Sequence, residues 1–264
     1  MKKLITISTV LVLMVVTTSV TYALPSDNFD NNSIDAIWNL YEDDPGNAWL
    51  DETNHRLELR STAVTEDSVA VYVANGWGFS PAHNFSFKAD FHNSFTSDDP
   101  AWATVMLGIG KGSDLATIRG NNAIIDAAWD RGDEYNQPQY SVFGYSYTVD
   151  GNESESSFHE TRGSSDGTLY VSYDAGEDEL YLSHTGYGKD KASDTIPDLL
   201  NDKWGGAVVT LFIGGDVENV VALDSGVAYL DNFVIDSGTI IPEPVSAAIM
   251  TLASLFVALK RRKR

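Results

Sequence analysis

The sequence predicts an all-β protein built as an antiparallel two-sheet sandwich. Two observations carry that expectation. Apolar and polar residues alternate with a period of two along many short segments, the pattern of strands buried on one face. Turns rich in Gly, Asn and Asp separate these segments, and ten or more of them fit into the 264 residues. So many short strands argue for covering their apolar faces with a second sheet, while periodicity alone also allows a closed barrel. At 43% hydrophobic and 11% aromatic the chain can fill such a core. The absence of cysteine excludes a disulfide scaffold, a zinc–thiolate centre and a cysteine nucleophile.

In chain order, strands are expected near Leu57–Arg60 and Val69–Val73. Phe85, Phe87, Ala89 and Phe91 then share one face, with Asn84, Ser86, Lys88, Asp90 and His92 opposite. Further strands are expected at Trp102–Ile109, Ala123–Trp129 and Tyr140–Val149. Leu169, Val171 and Tyr173 alternate with polar neighbours, and Ala175-Gly176-Glu177-Asp178 turns the chain into Glu179–Ser183, a β-hairpin. Thr195–Lys203 has the composition of a short helix, with Pro197 near its start. Ala207–Ile213 and Val227–Ile235 complete the set. No repeat or long linker interrupts residues 27–236, so one domain is expected over 24–238.

Two phrases narrow the fold. The body opens with Asp27-Asn28-Phe29-Asp30 and Trp38, and closes with Ala228-Tyr229-Leu230-Asp231-Asn232-Phe233-Val234-Ile235-Asp236. These, with the hairpin from Leu169 to Leu182, resemble the concanavalin A-like lectin/glucanase domains. The resemblance implies a jelly-roll sandwich over residues 26–237. That family includes lectins, adhesion domains and glycosidases, so the fold alone selects no function.

The ends say where the body goes. Lys2 and Lys3, the apolar run Leu4–Val16 and the small residue closing Thr21-Tyr22-Ala23 describe a secretory signal peptide over residues 1–23. At the other end, Pro242-Glu243-Pro244 precedes the uncharged stretch 245–259 and the basic run Lys260, Arg261, Arg262, Lys263 and Arg264. A helix of fifteen residues spans about 22 Å, short of a hydrocarbon core of about 30 Å. Lys260 and Arg261 can snorkel, and the basic cluster favours a cytoplasmic terminus. This order of parts resembles the PEP-CTERM sorting signal of Gram-negative bacteria, with the segment 239–264 as the sorting region. The resemblance implies an exosortase as processing partner, after signal peptidase, with transient residence in the inner membrane. The expected destination is the cell surface or extracellular matrix.

The signal peptide holds two of the 17 basic residues and the tail five, whereas Glu243 is the one acid of 38 outside the body. The body therefore carries ten basic against 37 acidic residues, a net charge near −27. Such a surface stays soluble and repels anionic polymers, which excludes nucleic acid as a partner.

Motifs for chemistry are absent. The laminarinase-like glucanases carry Glu-x-Asp-x-x-Glu on one strand. The nearest approach here, Glu42-x-Asp44, is broken by Pro45 and reaches Asn47 at the third position. Glu153, Glu155 and Glu160 read as loop residues. There is no Gly-x-Ser-x-Gly elbow, no His-Glu-x-x-His helix and no phosphate-binding glycine loop, and the five histidines are scattered. The sequence therefore reads as non-enzymatic.

Aromatic residues suit glycan binding better, because sugar C–H faces stack on exposed rings. Trp77 between two glycines, Trp129 at a strand end, and Tyr145 and Tyr147 sharing a strand face with Phe143 are the candidates. Trp38, Trp49, Trp102 and Trp204 are assigned to the core or its rim. Asp27 and Asp30 near the start, with Asp231 and Asp236 near the end, are candidate ligands for a structural calcium ion if the termini meet. The leading expectation is an exported, non-catalytic sandwich that binds polysaccharide. The alternatives are an extracellular glycan-active hydrolase or lyase, with carboxylates gathered from separate strands, or a purely structural matrix protein.

Overall fold

The computed structural model describes residues 24–44, 46–63, 66–95, 102–112, 115–130, 140–154, 160–162, 164–218 and 222–242. The signal segment and residues 243–264, with the expected membrane helix and basic tail, lie outside the described residues. Among the described residues no helix is long and apolar enough to cross a membrane.

The strands in chain order are β1 (Ser26–Asp27), β2 (Trp38–Glu42), β3 (Ala48–Thr53), β4 (Arg56–Ser61), β5 (Ser68–Ala74), β6 (Trp77–Phe79), β7 (Phe85–Asn93) and β8 (Trp102–Lys111). A short helix, α1 (Leu115–Gly120), leads to β9 (Asn122–Asp130), β10 (Tyr140–Val149), β11 (Asn152–Ser154), β12 (Glu160–Arg162), β13 (Asp166–Asp174) and β14 (Glu179–Ser183). The chain ends in β15 (Asp194–Pro197), β16 (Val209–Glu218), β17 (Ala228–Ser237) and β18 (Ile240–Pro242).

They form two antiparallel sheets. The first runs β15-β14-β13-β7-β17-β4-β3, with β1 also on β17. The second runs β11-β10-β9-β8-β16-β5-β2, with β12 on β10, β6 on β16 and β18 on β6. β4 pairs with Tyr229 and Leu230 of β17, and β1 with Phe233 and Val234. Between them Asn232 takes a left-handed conformation, φ 48°, at a bulge against β7. Asn tolerates that conformation, and the bulge re-aims β17. The terminal strands therefore meet, as a jelly roll requires.

The core lies between the sheets. Phe85, Phe87, Ala89 and Phe91 of β7 are buried against Val105, Leu107 and Ile109 of β8, Ile125 of β9 and Leu211 of β16. Phe79 stacks on Phe85 with centroids 4.6 Å apart, and Trp38 meets Phe233 edge-on at 5.2 Å. The expected hairpin is present, with Asp174 opposite Glu179 and Asp178 left-handed in the turn.

Three expectations are corrected. The segment expected to be helical opens instead as β15, an edge strand on β14, followed by one wide helical turn at Leu199–Lys203. Pro197 fits because an edge strand need not donate there. The expected Ala207–Ile213 strand continues to Glu218, and that continuation carries the candidate site. Glu153 and Glu160, read as loop residues, lie in β11 and β12, opposite Thr148 and Phe143.

Candidate active site

Each strand of the second sheet turns alternate residues toward the core and away from it. On β8, Ala103, Val105, Leu107 and Ile109 join the core, which leaves Trp102, Thr104 and Met106 on the outer face. The register then places partners beside them. Glu218 lies opposite Trp102, Asp216 opposite Thr104, and Asp126 of β9 opposite Met106. On its other side Asp216 is opposite Val69 of β5. The outer face is itself partly covered: Val71, Val73, Met106, Phe212 and Ile118 of α1 form a second buried cluster, with Tyr41, Val69 and Ile124 packed on it.

The carboxyl groups at this face interact strongly. Burial pushes the Asp216 carboxyl far above the usual carboxylate range. A hydrogen bond and the charge of Asp67 raise it further, as do Asp126 and Glu218. Two carboxyl groups can share a hydrogen bond only when one is protonated, and burial makes Asp216 the one that holds the proton more tightly. Its Oδ1 is buried with no hydrogen-bond partner among the described residues. Asp126 lies over Gly144 of β10: a Cβ at that position would stand 2.6 Å from Oδ1 and 2.7 Å from Oδ2. On the same face, beside Glu218, Trp102 is 38% exposed, one of three large hydrophobic residues exposed among those described.

Such an arrangement can donate a proton from one carboxylic acid while ionised neighbours accept a proton or attack carbon. The indole offers a stacking surface beside them. Sequence reasoning missed these residues. The available signal was Asp216-Val217-Glu218, two acids alternating on one strand after Gly214-Gly215. The two glycines blur the strand end, and Trp102 is expected in the core or at its rim.

The aromatic residues singled out earlier fare differently. Trp77 is not at an exposed loop tip. It opens β6, is 7% exposed, packs on Trp38 and Phe79, and donates from Nε1 to the Ile37 carbonyl at 3.1 Å. Phe143 and Tyr145 face the core rather than a ligand; Phe143 stacks on His184 at 4.1 Å, and the Tyr145 hydroxyl lies 2.9 Å from His184 Nδ1. Tyr147 is half-buried, with the Lys203 ammonium 5.3 Å from its ring centroid. Trp129 lies in β9 opposite Ser141, and its side chain is outside the described residues.

The four candidate calcium ligands do not converge. Asp27 is buried and accepts from the Phe29 N–H and from Trp38 Nε1, each at 2.8 Å, so it is spent on holding the core. Asp30 accepts from Asn28 and pairs with His55 at 3.2 Å. Asp231 is opposite Asp90 and accepts from the Asn232 N–H, while Asp236 accepts from the Tyr187 hydroxyl. Asp30 is near enough to Asp231 to raise its pKa, after burial and Asp90. Among the described residues no group of three or more His, Asp or Glu could hold a metal ion. Of the sorting motif only Pro242 is described, in β18 opposite Trp77; Glu243, Pro244 and the basic tail lie outside.

No family model matches the sequence, and no curated protein matches it. Solved structures do resemble the fold. The carbohydrate recognition domain of Emp46p in its potassium-bound form is 12% identical, covers 83% of this chain and 97% of its own, and has a TM-score of 0.47. Rv0315 of Mycobacterium tuberculosis, described as an immunostimulatory antigen and pseudo β-1,3-glucanase, is 14% identical over 83% of this chain and 98% of its own, with a TM-score of 0.44. The κ-carrageenase of Pseudoalteromonas carrageenovora is 13% identical over 80% and 93%, with a TM-score of 0.42. These are sandwiches of the concanavalin A-like lectin and glucanase type, and at such identities the likeness is one of fold. Glycoside hydrolases and a pseudo-glucanase stand among these structures, a finding that runs against the expectation of a non-enzymatic chain.

Proposed function

We propose that the body is a glycan-active domain that hydrolyses glycosidic bonds on the outer face of the second sheet. The observation that carries the reading is Asp216, a carboxylic acid kept protonated on the same face of the sheet as the exposed Trp102, with the carboxyl groups of Glu218 and Asp126 in the adjoining rows. Asp216 donates its proton to the leaving glycosidic oxygen. Glu218 or Asp126 serves as the ionised partner, nucleophile or base, and Trp102 stacks on a sugar ring. Purified protein incubated with a panel of polysaccharides should release reducing ends. Asp216→Asn should lower that rate by at least about 10²-fold, the usual weight of a general acid. Trp102→Ala should raise KM more than it lowers kcat. Retained glycan with no product would reduce the site to a binding surface.

The proposal extends to location. Residues 1–23 direct export, and Pro242-Glu243-Pro244 with the apolar stretch 245–259 and its basic tail direct sorting by an exosortase to the surface or matrix. The pattern of these segments supports that reading. Replacing Pro242-Glu243-Pro244 with alanines should leave the chain in the inner-membrane fraction; unchanged arrival at the surface would overturn it.

A further inference from the structure

We propose that Ser94, His92 and Asp166 form a second reactive centre, a serine nucleophile with its base and orienting acid, which hydrolyses small carboxylic esters at the rim of the first sheet. Asp166 Oδ1 lies 2.7 Å from His92 Nδ1, and His92 Nε2 lies 3.0 Å from Ser94 Oγ. Both distances are within hydrogen-bond reach, and the order acid–imidazole–hydroxyl is the one that activates a serine.

The fold builds this chain from simple parts. His92 is at the end of β7, and Ser94 follows two residues on, so both side chains leave the same side of the strand. Asp166 opens β13 directly opposite His92. The imidazole is held flat against Tyr229, with centroids 4.9 Å apart, and the Arg56 guanidinium covers that tyrosine at 4.0 Å. Asp166 accepts from the Ser165 hydroxyl at 2.8 Å, while its own N–H donates to Ser164 Oγ at 3.1 Å. With Nδ1–H donating to the carboxylate, Nε2 is left as the acceptor facing Ser94. Among the described residues the hydroxyl proton has one competing acceptor, the Val227 carbonyl at 3.2 Å.

In the reaction, Ser94 Oγ attacks the ester carbonyl carbon while its proton passes to His92 Nε2, and Asp166 stabilises the imidazolium. The tetrahedral intermediate collapses by breaking the carbon–alkoxy bond, and the departing alcohol takes the proton from Nε2. Water then attacks the acyl-serine and gives its proton to Nε2. When the carboxylic acid leaves, that proton returns to Ser94 Oγ, and nothing is oxidised or reduced.

Two neighbouring amides offer the oxyanion no help. The Ser94 N–H is used on the Val227 carbonyl at 2.8 Å and that of Phe95 on Asn93 Oδ1 at 3.1 Å. A missing oxyanion donor costs about 10²–10³ in rate, so the expected substrates are activated esters. The full chain is treated with a fluorophosphonate, the modified residue is located by mass spectrometry, and p-nitrophenyl acetate hydrolysis is followed in parallel. Ser94 should be labelled at least tenfold faster than any other serine. Ser94→Ala should abolish the label and the esterase burst. His92→Gln and Asp166→Asn should each slow labelling at least tenfold while the thermal midpoint stays within a few degrees. Labelling spread evenly over the serines, or equal at Ser94 in parent and His92→Gln, would overturn the proposal and leave the three side chains as a structural tether.

Discussion

Replacing Glu52 by Gln should remove a stability penalty that the fold carries at neutral pH. Glu52 faces inward from β3 with Ala48 and Leu50 and is 6% exposed. Its Oε2 accepts from the Ser33 N–H at 3.1 Å, but Oε1 has no hydrogen-bond partner among the described residues. Burial, and then the charge of Asp27, push its pKa from 4.5 to about 7. Below the unfolded value of 4.5 the group is neutral in both states and costs nothing. Between 4.5 and about 7 the unfolded chain ionises and the folded one does not, so stability falls as pH rises; above about 7 it levels off. At about 1.36 kcal/mol per pH unit, that window amounts to about 3 kcal/mol. Asp27, whose pKa burial also raises, adds in the same direction. The measurement is the difference in thermal midpoint between parent and Glu52→Gln at several pH values from 4 to 8, which cancels the titrating groups that do not interact with Glu52. The variant should gain on the parent by about 6–12 °C across the window, at about 2–4 °C per kcal/mol for a domain of this size. A difference that stays flat with pH would refute the assignment of a buried, proton-holding Glu52.

Three other outcomes follow from the packing. Phe87→Ala, which empties a fully buried site beside Phe79 and Phe85, should cost about 3–5 kcal/mol in denaturant unfolding. Gly144→Ala should displace the Asp126 carboxylate and reduce polysaccharide hydrolysis with little change in the far-ultraviolet spectrum, because the added methyl falls on both of its oxygens. Glu58 is fully buried and paired with Arg56 at 2.8 Å and Arg60 at 3.5 Å, so Glu58→Ala should destabilise by about 3–5 kcal/mol by leaving those guanidinium groups without their carboxylate.

The strands of the body were legible because their period-two pattern is a local property. Phe85, Phe87, Ala89 and Phe91 announce β7, and Tyr173 to Leu180 announces the hairpin, without reference to the rest of the chain. Thr195–Lys203 misled because its edge pairing with β14, and not its composition, makes Asp194–Pro197 a strand. The site was less legible for the same kind of reason. Alternation shows that Trp102 and Ala103, or Tyr145 and Gly144, lie on opposite faces, but it does not say which face the second sheet will cover. Trp77 and Tyr145 proved to be core and Trp102 surface, a choice made by the packing of one sheet on the other. Likewise Asp216, Asp67 and Asp126 are separated by tens of residues in sequence. Asp216 holds its proton only because antiparallel register and burial bring those charges together where water cannot screen them. Composition and periodicity determined that this chain forms strands; their pairing into two packed sheets was decided by the tertiary structure. The register of β8, β9 and β16 decided which of its many acids could do chemistry.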